Sequence, residues 1–234
     1  IACAAHSGLV INLGVAGTSL LDAPTLVELK RIFRYIQARY GAYPIIWLIT
    51  QEYNSPTGSP SARKTKVYDL CSYLKSIDPY DRALGLHQYP VSPDHADDSW
   101  TEAWNDMIVD QNGHFHTPDA GDYLYNYFRP TPAPLLESEL NYEGFENSTG
   151  TFVVDDTMVR QSAYTAIQSG SFGYGYGASG SYSGAANGSG QPANWGTIYD
   201  WWDGLAFDGA GQMQWLKNIY ESVDWWTLEP TVGI

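Results

Sequence analysis

Short apolar runs that end in polar residues alternate along this sequence with longer segments whose apolar residues recur at helical spacing. The clearest run is 44–50, where Ile45 to Thr50 show no clean alternation, as is typical of a strand buried on both faces. Runs of this kind predict six strands, at 9–16, 44–50, 83–87, 107–110, 134–139 and 170–177.

Helices are predicted between these strands, at 25–40, 61–77, 119–128, 155–169 and 208–221. The first is the best supported, because its apolar residues fall on one helical face. Thr25 with Glu28 three residues later has the pattern of a capping box, which places the start of this helix.

Strands and helices in regular alternation predict an α/β fold with a parallel sheet. A doubly wound sheet would carry a glycine-rich phosphate loop after the first strand, and 14–17 lacks the third glycine. We therefore expect a (β/α)8 barrel of the TIM type, with six of its eight strands readable in a single domain over 1–234. The missing strands would be the first two, so a missing N-terminal segment or a partner chain is expected to complete the barrel.

Composition narrows the ligand classes. The net charge of −14 argues against nucleic acid and against an anionic membrane surface, since both require Lys and Arg. No apolar run approaches the roughly 20 residues of a membrane-spanning helix. Aromatic residues make up 15% of the chain, which suits a site that stacks on a neutral sugar.

Several features favour a secreted protein. The charge is acidic, and sequons for N-linked glycosylation begin at Asn147 and Asn187. Cys3 and Cys71 are either one disulfide or two buried thiols, and their spacing does not choose between these.

Two carboxylates end different predicted strands, Glu52 after 44–50 and Glu139 at the end of 134–139. If these are the fourth and seventh strands of a barrel, their carboxyl ends face each other across its mouth. Retaining glycoside hydrolysis needs such a pair about 5–5.5 Å apart. Glu137 competes with Glu139, but it would lie one layer deeper, where a carboxylate is costly unless paired.

Other chemistries have weaker support. His87, His114 and His116 match no standard zinc spacing, so no metal site is predicted. The segment 180–184 does not form the Gly-x-Ser-x-Gly elbow of a serine hydrolase after a strand. No cofactor is expected.

The order of several segments resembles the apiosidase-like (β/α)8-barrel glycoside hydrolases. These segments are 38–40, 46–54, His87 before Pro90, 111–114, 134–143, Arg160, 170–177, 209–217 and 225–230. The resemblance covers most of the chain from about residue 9. Family members begin with two further strands that nothing here matches, and many carry a small accessory β-domain after the barrel, which is absent or truncated here.

The resemblance implies that Glu52 is the acid/base and Glu139 the nucleophile. It also implies that the sugar is bound by His87, Gln111, His114, Tyr142 and Tyr176. We therefore expect a retaining glycoside hydrolase that acts on a polysaccharide or its oligosaccharides. The alternative is a catalytically silent extracellular module that binds carbohydrate or serves a structural role.

Overall fold

The computed structural model describes residues 1–8, 10–90, 98–115, 117–147, 149–181, 184 and 199–231. The chain divides into two compact units, Ile1–Val109 and Asp110–Ile234. The first unit contains one three-stranded sheet, and a second three-stranded sheet begins with the strand at the boundary, Ile108–Asp110.

The first unit contains a parallel sheet with strand order β1-β2-β3. Its strands are β1 (Ile11–Leu13), β2 (Ile45–Leu48) and β3 (Leu84–Gly85). Its helices are α1 (Ala2–His6), α2 (Thr18–Asp22), α3 (Leu26–Tyr40) and α4 (Pro60–Ile77), with a 3-10 turn at Asp98–Thr101. Ile11 is in register with Ile45, and Trp47 with Leu84.

The core of this unit lies between the sheet and the helices α3 and α4, which pack together. Helix α3 begins with the capping box predicted for it: Thr25 Oγ1 accepts a hydrogen bond from the Glu28 N–H, and Glu28 Oε2 accepts one from the Thr25 N–H. Pro60 stands at the first helical position of α4, where the missing N–H costs nothing.

The second sheet has the strand order β4-β5-β6. Its strands are β4 (Ile108–Asp110), β5 (Leu135–Glu137) and β6 (Ser171–Tyr174), and β5 pairs with β6 in parallel. The helices of the second unit are α5 (Ala120–Tyr127), α6 (Asp156–Gln168), α7 (Trp201–Gly204) and α8 (Asp208–Glu221), followed by a 3-10 turn at Trp225–Thr227. Helix α6 packs against α8 and starts at Asp155, whose side chain accepts a 2.8 Å hydrogen bond from the Met158 N–H.

The predicted α/β class with parallel pairing is confirmed, and all six predicted strands are present. Each strand except β4 is at least two residues shorter than predicted, because ladder pairing stops before the apolar run does. Isolated parallel bridges continue the pairing beyond β1, β4 and β5, at Ala16 with Thr50 and at Gly113 with Leu140. Glu139 therefore lies two residues past the end of its strand, not at it. The complete eight-stranded barrel stays a prediction.

Neither alternative left open by the sequence holds: Cys3 and Cys71 are free thiols with no disulfide between them, and Cys71 is buried whereas Cys3 is exposed. Burial raises the pKa of the Cys71 thiol well above its usual value. Among the helices that the structure describes, none is both long enough and apolar enough to cross a membrane.

Candidate active site

Strands β4 and β5 each end in a residue with a carboxyl side chain. Asp110 and Glu137 are the last residues of these strands and are completely buried. Glu139 follows after one intervening residue and is 7% exposed. Because parallel strands place catalytic groups at their carboxyl ends, these residues define the candidate site of the second unit.

Glu137 is held by three hydrogen-bond donors. Its Oε2 accepts hydrogen bonds from Tyr123 Oη at 2.9 Å and from Asn112 Nδ2 at 2.6 Å. Its Oε1 accepts one from the backbone N–H of Glu139 at 2.8 Å. The carboxyl group of Glu137 is therefore paired within the protein and fixes the backbone at Glu139.

The two fully buried carboxyls hold their protons unusually tightly. Burial and, second, the nearby Asp110 raise the pKa of Glu137 to about 8, against the opposing effect of the three donors. Burial likewise raises the pKa of Asp110 to about 7, opposed by Asn126, whose Nδ2 lies 3.0 and 2.7 Å from the two carboxyl oxygens.

Glu139 has a different environment, in contact with His114. Glu139 Oε1 lies 3.2 Å from His114 Nε2. The other ring nitrogen, Nδ1, accepts a hydrogen bond from the Tyr142 N–H at 3.3 Å. Since a backbone N–H can only donate, the neutral ring carries its proton on Nε2 and donates it toward Glu139. A carboxylate that accepts such a bond is favoured in its ionised form.

The ring of His114 is fixed in turn by aromatic neighbours. Its centroid lies 4.6 Å from the ring of Tyr142 and 4.4 Å from that of Phe145. Gly177 packs directly on Tyr142, where a Cβ would come within 2.0 Å of the ring. These contacts leave His114 little freedom to turn away from Glu139.

Tyr176 is bound to Glu143. Its hydroxyl donates to Glu143 Oε2 at 2.7 Å, and Glu143 Oε1 accepts a hydrogen bond from the Gly209 N–H at 3.2 Å. Gly209 lies in the first turn of α8, where unpaired N–H groups favour a negative charge. Burial and Glu143 both raise the pKa of Tyr176 above its usual value, so this hydroxyl keeps its proton.

In the first unit, Glu52 has a left-handed backbone with φ of 51°. Its N–H donates to the carbonyl of His87 at 2.9 Å, and its own carbonyl accepts a hydrogen bond from Thr18 Oγ1 at 3.0 Å. A non-glycine residue in this conformation is held there by its surroundings at a cost of about 1–2 kcal/mol, and such residues cluster at functional sites.

The structure brings together three of the residues predicted for the site, namely Glu139, His114 and Tyr142. His87 and Gln111 are buried at the ends of their strands. Asn147 lies in a turn where its Oδ1 accepts hydrogen bonds from Thr149 Oγ1 and the Thr151 N–H. His116 and Asn187 lie outside the described residues.

Sequence reasoning missed three residues of this network: Asn112, Tyr123 and Glu143. Asn112 lies in the segment 111–114 and Glu143 in the segment 134–143, and both segments carry residues that were predicted for the site. Their positions in the sequence could therefore have identified them. Tyr123 is on α5, and no local pattern connects it to Glu137. Within the part of the chain that the structure describes, no group of three or more His, Cys, Asp or Glu side chains is arranged to hold a metal ion.

Comparison with known structures gives the class of the fold. The chain is similar to a solved glycoside hydrolase with a TM-score of 0.75 and 22% identity, over 93% of this chain and 52% of the other. It is also similar to a glycoside hydrolase family 5 protein from Bacteroides vulgatus, with a TM-score of 0.74 and 23% identity, over 92% and 50% of the two chains. The chain thus has a fold that glycoside hydrolases use, and it spans about half the length of these structures.

The family is given by a sequence-family match over residues 12–227, described as apiosidase-like, catalytic domain. The chain belongs to this apiosidase-like family, as the resemblance indicated. No curated protein matches it.

Proposed function

We propose that this chain carries the catalytic residues of a retaining glycoside hydrolase that cleaves a polysaccharide or its oligosaccharides. In the first step, Glu52 gives its proton to the glycosidic oxygen while Glu139 attacks the anomeric carbon. The alcohol leaves, and a covalent glycosyl ester of Glu139 remains. In the second step, Glu52 takes a proton from a water molecule, the water oxygen attacks the anomeric carbon, and the Glu139 carboxylate is released.

The contact between Glu139 and His114 is the observation that carries this proposal. A nucleophilic carboxylate must stay ionised at working pH, and a donor 3.2 Å away favours that state. Family membership over residues 12–227 supports the glycosidase class.

Burial favours Glu139 over Glu137 as the nucleophile. Glu137 is fully buried and its carboxyl oxygens already accept three hydrogen bonds from within the protein. An attacking oxygen would have to break these bonds and lose their stabilisation. Glu139 is 7% exposed, so it is less deeply buried than Glu137.

The decisive experiment is a panel of aryl glycosides and polysaccharides assayed with the wild type, Glu52→Gln and Glu139→Gln. We expect both substitutions to reduce kcat/KM by about 100-fold or more on a substrate whose leaving group needs protonation, such as an alkyl glycoside or a polysaccharide. NMR of the first product released should show the anomeric configuration of the substrate. A 2-deoxy-2-fluoro glycoside should label the peptide that contains Glu139.

The outcomes separate the candidate functions. Activity unaffected by either substitution would overturn the assigned residues. Inversion at the anomeric carbon would overturn the double displacement. A folded wild type that cleaves no substrate but binds one by calorimetry would identify the carbohydrate-binding alternative.

We also propose that the six strands belong to one eight-stranded barrel in a secreted protein. Within the described residues, the edge strands are β1 and β3 of the first sheet and β4 and β6 of the second, and each has a free side. In the proposed barrel, the two missing strands would lie beside β1 and β6. A missing N-terminal segment or a partner chain would occupy these sides. After enzymatic deglycosylation, an intact mass of the mature protein above 25.9 kDa would support the missing N-terminal segment. Co-purification of a second chain would support the partner chain. Secretion predicts a glycan at Asn147, detectable as a mass loss after enzymatic deglycosylation.

A further inference from the structure

The guanidinium of Arg63, near the start of α4, is completely buried, and all five of its N–H groups have acceptors. Nε and Nη2 each donate to one oxygen of Asp22 at 3.0 Å. The other three hydrogen bonds go to backbone carbonyls: Nη1 to Tyr53 at 2.9 Å and Ser55 at 3.2 Å, and Nη2 to Thr57 at 2.7 Å.

These three carbonyls belong to the loop that immediately follows Glu52. Tyr53 is the next residue in the chain, and Arg63 holds its carbonyl directly. The left-handed backbone of Glu52 is the point where the chain leaves the sheet and enters this loop. The position of the Glu52 backbone therefore depends on how the loop is held.

Both ends of the short helix α2 make hydrogen bonds that hold the same part of the chain. Thr18 at the start of α2 donates through Oγ1 to the carbonyls of Gln51 at 3.3 Å and Glu52 at 3.0 Å. Asp22 at the end of α2 accepts the paired hydrogen bonds of Arg63. One helix of five residues thus connects the backbone of Glu52 to the guanidinium that holds the loop beyond it.

The loop closes tightly on this ion pair. Gly58 has a left-handed φ of 70°, and a Cβ there would lie 2.7 Å from Asp22 Oδ2 and 2.9 Å from Arg63 Nη2. Lys66, one turn further along α4, donates to the carbonyls of Leu21 in α2 and of Pro24 just beyond it, so it supports the same short helix. The matched control is therefore Arg39 on α3, an exposed arginine that donates to the hydroxyls of Tyr35 and Tyr40.

We propose that Arg63, together with Asp22, is a positioning residue for the acid/base Glu52. This inference rests on the function proposed above. A general acid must lie within hydrogen-bond reach of the oxygen that it protonates, and a displacement of about 1 Å can reduce the rate by about 100-fold. Arg63 sets that position by fixing the backbone on the C-terminal side of Glu52.

The test uses aryl glycosides of the sugar that the wild type cleaves, with leaving groups of different acidity. A dinitrophenolate leaves without protonation, whereas an alkyl or methoxyphenyl aglycone needs the acid. In Arg63→Lys the ammonium cannot span two carboxylate oxygens and three carbonyls. We expect its kcat/KM to fall by about 10-fold or more with the poor leaving group and by less than about 3-fold with dinitrophenyl.

Asp22→Asn should show the same dependence on the leaving group with a smaller loss, and it carries the test if Arg63→Lys does not fold. Arg39→Lys, the control, should keep wild-type kcat/KM with both leaving groups. Equal losses with both leaving groups in Arg63→Lys and Asp22→Asn, at a temperature where both are folded, would overturn the positioning role.

Glu52→Gln separates this inference from the proposed function. If Glu52→Gln shows the leaving-group dependence and the Arg63 and Asp22 variants do not, only the positioning role fails. If Glu52→Gln leaves hydrolysis unchanged with every leaving group, the proposed acid/base itself is wrong and the positioning role falls with it.

Discussion

The carboxyl group of Glu137 accepts a hydrogen bond at 2.8 Å from the backbone N–H of Glu139, two residues further along the chain. One carboxylate thus fixes the backbone from which the other projects. Glu137 is completely buried and bonded to Tyr123 and Asn112, whereas Glu139 is 7% exposed and lies beside His114. Because their surroundings differ, we expect the two glutamates to have different roles.

Glu137 makes the stability of the protein depend on pH. Its pKa is raised to about 8 from a usual value of 4.5, so between these values the folded state keeps a proton that the unfolded chain has lost. The contribution of Glu137 to the free energy of unfolding is therefore fully present below pH 4.5 and is lost as the pH rises toward 8. We expect Glu137→Gln to flatten this decline in urea titrations between pH 5 and 8.

The flattening should be partial, because Asp110, whose pKa is raised to about 7, still titrates in the variant. Glu221→Gln is the control, since its exposed side chain pairs with Lys217 on the surface of α8. Its pH profile should match the wild type. An unchanged slope in Glu137→Gln would show that this carboxyl is ionised in the folded state at neutral pH.

The fold class was predictable because it follows from the pattern of apolar residues within short stretches of the sequence. Buried parallel strands need continuous apolar runs, and such runs gave all six strands. The start of α3 was predictable because Thr25 and Glu28 are three residues apart and bond to each other. Strand ends were less predictable, since they depend on which backbone groups find partners elsewhere in the fold.

The missing parts of the site depend on contacts between distant residues. Helix α2 has five residues, too few to show a helical period, and it is held through Arg63, 41 residues away from Asp22. The objection to a deep carboxylate at Glu137 was that it needs partners. One of those partners is Tyr123 on α5. The sequence around Tyr123 and around Glu137 does not indicate that these two side chains pair.

His114 is expected to support the activity of Glu139. In His114→Ala the carboxylate loses a donor, and hydrogen bonds to charged groups contribute about 1.5–3 kcal/mol. This corresponds to a reduction of kcat/KM by about 10- to 100-fold, measured on the substrate identified by the glycoside panel. His114→Gln, which keeps a side-chain N–H, should recover part of the loss.

The control for this prediction is His6→Ala on the exposed helix α1, which should keep wild-type kinetics. Circular dichroism establishes that each variant is folded under the assay conditions. A kcat/KM for His114→Ala within about twofold of the wild type would mean that the contact with Glu139 contributes nothing to the reaction.

Glu143 is expected to stabilise the second unit, because it joins Tyr176 to the first turn of α8. Glu143→Ala removes the acceptor of both the Tyr176 hydroxyl and the Gly209 N–H. We expect the free energy of unfolding to fall by about 2–3 kcal/mol, measured by urea denaturation. Glu221→Ala breaks only a surface pair and should cost about 0–0.5 kcal/mol. Equal effects of the two substitutions would contradict a structural role for Glu143.

Gly177 and Gly211 offer a matched pair of glycine substitutions. In Gly177→Ala the new methyl group would lie 2.0 Å from the Tyr142 ring, so Tyr142 must move away from its place beside His114. We expect this overpacking to destabilise the protein by about 1–3 kcal/mol and to lower kcat/KM. Gly211 lies inside α8 with open space around its Cβ position, so Gly211→Ala should raise stability by up to about 1 kcal/mol without affecting kinetics. Thermal melts and steady-state kinetics measure both, and wild-type behaviour of Gly177→Ala would show that Tyr142 can move without disturbing His114.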